Sequence, residues 1–267
     1  KRQVPGTLDP KVHWKISREY RHDAPEAFVA TVPHGRLWVN HNFAEHVDAV
    51  AVISAQDKII GQISNEFGPR LPHFTIFEQR RLPLAHFLPG RTAVLTSVKG
   101  EQFFHWILDL IPKIHMLECA GFTLDDFDHF VVNSTQSGFM RETLALAGIP
   151  AEKVVSCRDH PHLKTETMVV PTPPHVSGNP QAWAMEYLRD TFLPLVPNSE
   201  TQAPSRIYIS RAKAAVRHVT NEDQVQRLLH PLGFQTVVME DLPIMEQIAL
   251  FARAEAIVAP HGAGLTH

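Results

Sequence analysis

Residues 256–266 read Ala-Ile-Val-Ala-Pro-His-Gly-Ala-Gly-Leu-Thr, a short apolar run that passes directly into a glycine-containing turn. The apolar residues predict a buried strand, and the glycines allow the backbone to approach a ligand closely. A helix should begin next, and the free N–H groups at a helix start favour anions such as phosphate. A plain tight turn explains a Gly-x-Gly sequence about as often, so this stretch alone leaves both interpretations open.

The alternation of strand and helix extends upstream from this turn. Strands are predicted at 206–210, 234–238 and 256–259, and helices at 220–229 and 244–254. Thr220 or Asn221 is expected to cap the first of these helices. A β-α-β-α-β succession indicates a parallel half-sheet of the nucleotide-binding type.

A second run of alternating elements precedes this unit. Strands are predicted at 36–40, 47–53, 58–63, 92–96, 127–132, 153–156 and 166–170, and helices at 102–120, 138–147 and 181–193. The early strands suggest an antiparallel group within an irregular first 90 residues, and the later alternation predicts a parallel sheet wrapped by helices. Residues 194–205 hold three prolines and predict a linker. The expected fold is therefore α/β, with a lobe at 1–195 and a partial lobe at 205–267.

Composition removes several classes of protein. Hydrophobic residues make up 44% of the 267 residues and charged residues 20%, which is typical of a soluble globular chain. The formal net charge of -3 provides no broad basic field for nucleic acid. Two cysteines, Cys119 and Cys157, are too few for a disulfide framework or a thiolate zinc site. Because the chain begins at Lys1 and stops at His267 inside the glycine motif, we expect that an N-terminal anchor could have been lost and that the second lobe is truncated.

Three cations follow the strand predicted at 206–210. Arg211, Lys213 and Arg217 would lie at its carboxyl end, on the same edge of the sheet as the glycine turn. Guanidinium forks facing a helix start would hold a pyrophosphate well. An ordinary solvated loop is the commoner explanation of such a run. The glycine turn and the three cations fall at one edge of the predicted sheet, and this favours a phosphate site. His261 is either a further hydrogen-bond donor in this site or a packed histidine.

The helix predicted at 102–120 carries a second candidate site. His105, Asp109 and Lys113 are spaced by four residues and share one face. A histidine one turn from an aspartate could act as a general base, with the carboxylate setting its tautomer. Taken alone, these residues favour the alternative of a surface stripe with an ion pair. Pro112 is expected to kink the helix.

Other motifs carry less chemistry. Asp126-Phe-Asp128 resembles an Asp-x-Asp metal motif, but it precedes a strand and predicts a solvated turn. Among 17 histidines, His160 and His162 form the only tight pair, and no acidic neighbours stand at ligand spacing. A histidine-based metal hydrolase therefore remains only a third alternative, and no metal site is predicted. The sequence contains no His-Glu-x-x-His, Gly-x-Ser-x-Gly or Walker phosphate loop.

Two blocks of the sequence resemble glycosyltransferase family 61. The first is Phe-His-Trp-Ile-Leu-Asp-Leu-Ile-Pro-Lys at 104–113. The second runs from Tyr-Ile-Ser-Arg at 208–211 through Arg217, Asn221-Glu222, Glu246-Gln247 and Phe251 to the glycine turn at 260–266. The order and spacing match over about residues 92–267. His267 departs from the pattern, because the family usually has Asn at that position.

The resemblance implies an inverting glycosyltransferase of the GT-B type, with two Rossmann-like lobes facing a cleft. The first lobe would hold the acceptor, a glycan or another hydroxyl compound, and the second would hold a nucleotide sugar such as a UDP-sugar. Matched positions imply that Arg211, Arg217, His261 and Gly262-Ala263-Gly264 bind the donor phosphates without a metal cofactor. The catalytic candidates are His105 and Asp109, one of which would be the base. Glu246 is a further candidate, although the favourable interaction of a carboxylate with a helix start explains its presence equally well.

The resemblance also implies a place in bacterial capsule or other polysaccharide biosynthesis. We expect a cytoplasmic location, with peripheral association at the inner face of the membrane as an option, and no nucleic-acid partner. The main alternative is a catalytically inactive carbohydrate- or nucleotide-binding protein of the same fold, which predicts binding without turnover. The sugar, the acceptor, the linkage and the oligomeric state have no signal in the sequence.

Overall fold

A computed structural model describes residues 26–42, 47–67, 74–175, 179–197, 204–214 and 216–266. Two sheets organise these residues, one of eight strands and one of three. Each is accompanied by helices, so the α/β class predicted from the sequence is confirmed. Within the described ranges, no helix is both long and apolar enough to cross a membrane.

The larger sheet is mixed. Its strands are β1 (Val29–Pro33), β2 (Arg36–Asn42), β3 (Val47–Ile53), β4 (Asn65–Phe67), β5 (His86–Val94), β6 (His129–Val132), β7 (Val154–Ser156) and β8 (His162–Pro171). They lie in the order β4-β3-β2-β8-β5-β6-β7, and β1 also pairs with β8. The pairs among β1–β4 and their pairs with β8 are antiparallel, whereas β8, β5, β6 and β7 are parallel. The predicted parallel sheet is therefore only part of a larger mixed sheet, with β8 at the junction.

Helices cover the parallel part of this sheet. They are α1 (Phe103–His105), a π-helical stretch (Trp106–Leu110), α2 (Pro112–Cys119), α3 (Gly138–Leu146) and α4 (Ala182–Phe192). Trp106 is fully buried, and its indole N–H donates to Thr143 Oγ1 on α3 at 2.8 Å. Gly121 and Gly148 directly follow the predicted helix ranges 102–120 and 138–147, and they have φ of +88° and +82°. Glycine suits both positions because it tolerates the left-handed conformation.

The helix changes its form at Pro112, where a kink is expected from the sequence and the structure has a widened turn. Proline has no N–H to donate, and its ring crowds the preceding turn. The chain widens into the π-helical stretch immediately before Pro112, and Ile111 N donates to Trp106 O at 3.1 Å. Such widened turns often occur at functional sites. Here the widened turn contains Asp109.

The sequence prediction was wrong over residues 58–63. This segment forms one isolated bridge at Ile59 and a 3₁₀ turn at Gly61–Ile63. Ser64 explains the difference, because its hydroxyl accepts from Val52 N and donates to Ile60 O. A side chain thus takes up backbone groups that a strand ladder would have used.

The smaller sheet follows the prediction closely. Parallel strands β9 (Arg206–Ser210), β10 (Gln235–Val238) and β11 (Ala256–Val258) lie in the order β10-β9-β11, with α5 (Glu222–Leu229) and α6 (Ile244–Arg253) between them in the chain. Ile207, Ile209, Met239 and Leu250 form its buried core. Asn221 precedes α5, although its side chain makes no capping hydrogen bond to the backbone.

The two units are in contact through α6. Glu142 Oε2 on α3 accepts a hydrogen bond from Ile244 N, at the start of α6, at 2.8 Å. Ile248 on α6 packs against the core beneath the larger sheet. The predicted linker, 194–205, lies partly outside the described residues.

Candidate active site

A cleft of about 500 Å³ opens at the carboxyl ends of β5 and β8. Its walls come from segments 62–67, 96–99 and 172–175 and from three side chains of the helical segment, His105, Asp109 and Lys113. In α/β sheets, ligands bind at the carboxyl ends of parallel strands. The cleft therefore lies where the fold class places a binding site.

Asn133, which follows β6, fixes one wall of this cleft. Its Oδ1 accepts from Ser97 N at 3.0 Å, and its Nδ2 donates to Ser97 O at 2.8 Å. Gly100 passes so close that an added Cβ would lie 2.1 Å from Asn133 Oδ1. The loop from β5 to α1 is thereby held against the end of β6.

His105 and Asp109 form a hydrogen-bonded pair inside the cleft. His105 Nδ1 lies 2.7 Å from Asp109 Oδ2, and the two side chains are only 15% and 14% exposed. Because an ionised carboxylate only accepts, the proton of the pair lies on Nδ1. Nε2 is then an acceptor, and it has no partner among the residues that the structure describes. The alternative of an exposed surface stripe is therefore wrong for this pair.

His175 joins the pair from the loop after β8. Its Nε2 lies 2.7 Å from Asp109 Oδ1 and 3.1 Å from the Leu108 carbonyl oxygen, and its side chain is fully buried. The N–H points towards the carbonyl, since Asp109 Oδ1 itself has no well-aligned hydrogen bond. The contact between His175 Nε2 and Asp109 Oδ1 is thus a close electrostatic contact. Sequence reasoning missed His175, although it stands just beyond a strand's carboxyl end, where the same rule had singled out Arg211.

Burial and charge act in opposite directions on Asp109 and Lys113. Burial acts to raise the pKa of Asp109, but His105 and His175 outweigh it, so this pKa lies below its usual value. Burial lowers the pKa of Lys113 to about 8, against an opposing effect of Asp109. Lys113 donates to the Thr96 carbonyl oxygen within the cleft wall. At neutral pH the site therefore contains an ionised carboxylate with a buried lysine nearby.

The second candidate site lies at the carboxyl edge of the smaller sheet. Arg211 follows β9 and Gly262 follows the neighbouring strand β11, and an added Cβ on Gly262 would lie 2.1 Å from Arg211 Nη1. The guanidinium also donates to Val216 O from Nη2 at 2.9 Å. The structure therefore brings the predicted arginine and the predicted glycine turn into direct apposition.

The other predicted donor-binding residues differ in their surroundings. Arg217 is exposed, has a left-handed φ of +61° and has no ion-pair partner in the described part of the chain. Lys213 pairs with Asp241 at 2.5 Å. His261 is exposed, while Ala263 and Gly264 belong to the 3₁₀ turn Ala263–Leu265. A left-handed backbone at a non-glycine residue is uncommon and occurs often at ligand-binding sites.

Glu246 is not brought to the cleft. It is exposed in the first turn of α6 and does not line the walls that contain His105 and Asp109. A carboxylate at a helix start is stabilised by the helix dipole, and this explains Glu246 without chemistry. Its predicted catalytic role therefore has no geometric support.

The minor motifs behave as simple structural features. Asp126 accepts from Thr123 N and Asp128 Oδ2 accepts from Arg91 N at 2.8 Å, so this pair forms the predicted turn. Cys119 is exposed and Cys157 is buried, and both are free thiols. Across the described ranges, no group of three metal-ligating side chains is found.

The molecule therefore consists of a mixed α/β unit with a cleft and a parallel α/β unit whose edge carries arginines and a glycine turn. In both units the candidate site lies at the carboxyl ends of strands, and this defines a class of two-unit α/β proteins. The model of a family described as Glycosyltransferase 61 matches residues 103–267, which is more than half of the chain, and the protein belongs to that family. Membership supports a glycosyltransferase activity with a sugar donor and an acceptor as substrates. The matched range contains His105, Asp109, Lys113 and His175 of the cleft and the whole candidate site at the edge of the smaller sheet. No curated protein sequence matches the chain.

Proposed function

We propose that this protein transfers a sugar from a nucleotide-sugar donor, a UDP-sugar, to a hydroxyl group of a glycan or similar acceptor, with inversion at the anomeric carbon. The observation that carries the proposal is the His105–Asp109 pair. One imidazole nitrogen is occupied by the carboxylate, while the ring lines a cleft in the family-matched region. This is the arrangement that a general base requires.

The acceptor half of the reaction uses this pair. His105 Nε2 takes the proton of the acceptor hydroxyl, and the oxygen attacks the anomeric carbon as the bond to the nucleotide diphosphate breaks. Asp109 keeps the proton on Nδ1 and stabilises the imidazolium that forms. The lowered pKa of Asp109 keeps this carboxylate ionised, so it orients the base and His105 is the group that accepts the proton.

The donor half uses the edge of the smaller sheet, in a GT-B arrangement of the two units. Arg211, Arg217 and the backbone N–H groups of the glycine turn stabilise the charge that grows on the departing diphosphate. Side-chain cations take the part that a metal has in other transferases, so the proposal includes no metal cofactor. We assign the reaction to polysaccharide biosynthesis at the cytoplasmic side of the membrane.

Thermal stabilisation by a panel of UDP-sugars, other nucleotide sugars and free nucleotides tests the donor. A ligand that binds only the folded protein raises the unfolding temperature, and the stabilisation grows with the logarithm of the ligand concentration divided by its Kd. We expect a shift with a UDP-sugar that falls in Arg217→Ala, because charge-assisted hydrogen bonds to phosphate are worth about 1.5–3 kcal/mol each.

Arg227→Ala provides the matched control. Arg227 is also an exposed arginine of the smaller unit, but it pairs with Asp223 one turn away on α5. The control should keep the full shift. A folded protein that responds to no nucleotide would remove the donor assignment, and binding of a UDP-sugar without turnover onto any hydroxyl acceptor would favour the catalytically inactive alternative.

A further inference from the structure

We propose that His175 is a positioning residue for the reaction described above, and the proposal rests on that reaction. His175 holds the Asp109 carboxylate in one orientation, and through it keeps His105 in the tautomer that leaves Nε2 free to accept the acceptor proton. Asp109 is therefore the centre of a three-residue arrangement, of which only two members share a helix.

The contacts around Asp109 support this role. Its two oxygens face two different imidazoles, with His105 Nδ1 2.7 Å from Oδ2 and His175 Nε2 2.7 Å from Oδ1. A carboxylate held at one oxygen can rotate about its Cβ–Cγ bond, whereas a second close contact opposes that rotation. His175 Nε2 must carry a proton in this arrangement, because it faces both the carboxylate and the Leu108 carbonyl oxygen 3.1 Å away. Two acceptors facing an unprotonated nitrogen would repel it.

The loop that carries His175 is well anchored. Thr172 N donates to Phe28 O at 3.0 Å, and Thr172 Oγ1 accepts from Phe28 N at 3.2 Å, which ties the end of β8 to the chain before β1. Pro173 and Pro174 follow, and proline restricts the backbone between this anchor and His175. The side chain of His175 is fully buried, so it contacts Asp109 without being exposed, whereas the His105 side chain is 15% exposed in the cleft.

Lys113 is the other charged group near Asp109. Its amine donates to the Thr96 carbonyl oxygen, and its side chain is buried. Its charge acts on Asp109 through space, while the two histidines contact the carboxylate oxygens directly. His175 is thus the residue whose removal would free Asp109 Oδ1 without removing the His105 hydrogen bond.

A double-mutant cycle on turnover tests the coupling. We expect His175→Gln to lower kcat about tenfold or more, with little change in KM, because the buried ring does not reach substrate. In an Asp109→Asn background the same substitution should have little further effect, since His175 acts through Asp109. If His175→Gln acted only by reducing the amount of folded protein, the losses of kcat from the two substitutions would multiply in the double variant. That outcome would overturn the proposal.

His162→Gln is the matched control. His162 is buried at the opposite end of β8, where its Nδ1 donates to the Pro83 carbonyl oxygen at 2.7 Å, so both variants replace a buried histidine on or next to one strand. We expect the control to leave kcat unchanged in both backgrounds.

The ¹⁵N chemical shifts of the histidine rings supply a measurement that needs no turnover. We expect His105 to be protonated on Nδ1 in the wild-type protein and in His162→Gln, and to become a mixture of tautomers in His175→Gln. If His175→Gln does not fold, the wild-type spectrum still decides, since a His175 ring protonated only on Nδ1 would contradict the proposal. A protein with the expected tautomers and no turnover would leave the positioning geometry intact and count against the proposed function.

Discussion

The cleft of the larger sheet and the edge of the smaller sheet differ in how their charged groups are already partnered. In the cleft, Asp109 is mostly buried and both of its oxygens are in close contact with imidazoles. At the edge, Arg217 is exposed and has no ion-pair partner within the described residues, and Arg211 donates to the Val216 carbonyl oxygen and lies close to Gly262. The charged group of the cleft is thus already held by neighbouring side chains, whereas the edge presents an arginine without an acidic partner in the part of the chain that the structure describes.

This difference separates two tasks. A general base requires a fixed tautomer, and the close contact of His105 with the mostly buried Asp109 carboxylate supplies it. A site for a phosphate requires cations that can exchange water for an anion, and exposed arginines do so at low cost. Changes in the cleft should therefore act on turnover or stability, and changes at the edge should act on donor affinity.

The largest expected effect tests the cleft. His105→Ala should lower kcat by about 10²–10⁴-fold, because it removes the proposed base, while donor-induced thermal stabilisation stays unchanged. His115→Ala on α2 is the control: its ring stacks on Tyr187 and is partly exposed, and this variant should retain activity. Loss of donor binding in His105→Ala would show that the two regions do not divide the tasks.

The next effect tests the edge. Gly262→Ala should weaken donor affinity about ten- to hundredfold, because a Cβ there would lie 2.1 Å from Arg211 Nη1 and displace the guanidinium. The Gly262 φ of 170° is extended and accessible to alanine, so stability should change little. Arg227→Ala, whose side chain pairs with Asp223 on α5, is the control for calorimetric titration with the UDP-sugar. Equal affinities in the two variants would count against the Arg211 site.

A smaller effect tests the rigidity of the cleft. Gly100→Ala should lower the free energy of unfolding by about 1–3 kcal/mol, since its Cβ would collide with the Asn133 side chain that fixes the β5–α1 loop. Gly61→Ala, with no atom within 4 Å of the added Cβ, should be near neutral. Denaturant unfolding of the two variants makes the comparison, and an unchanged midpoint for Gly100→Ala would show that the loop can adjust.

The smallest effect concerns pH. The pKa of Lys113 is lowered to about 8 in the folded protein from an ordinary 10.5, so between these values the unfolded chain binds more protons than the folded one. Stability contributed by this group therefore rises with pH across that window, with a slope below about 1.4 kcal/mol per pH unit. The free energy of unfolding relative to Lys113→Met should rise between pH 8 and 10.5. A flat difference would mean that Lys113 keeps an ordinary pKa.

Prediction from sequence succeeded where structure is local. The strands and helices of residues 206–258 agree with the prediction within about two residues, because parallel β-α units repeat a short apolar strand and an amphipathic helix. It failed at 58–63, where the Ser64 hydroxyl satisfies backbone groups in place of a ladder, and it missed β1, whose pairing with β8 joins Val29 to Pro171. No local pattern marks a strand defined by a partner so far away.

The sequence by itself determined the α/β class, the helix ends at Gly121 and Gly148, the His105–Asp109 spacing and the family resemblance, because each depends on neighbouring residues or on order along the chain. Only the tertiary structure placed His175 against Asp109, Asn133 against Gly100 and Arg211 over Gly262. These contacts form where separate strands end at one edge of a sheet. Strand order and register decide which ends meet, and both follow from the burial of the whole core.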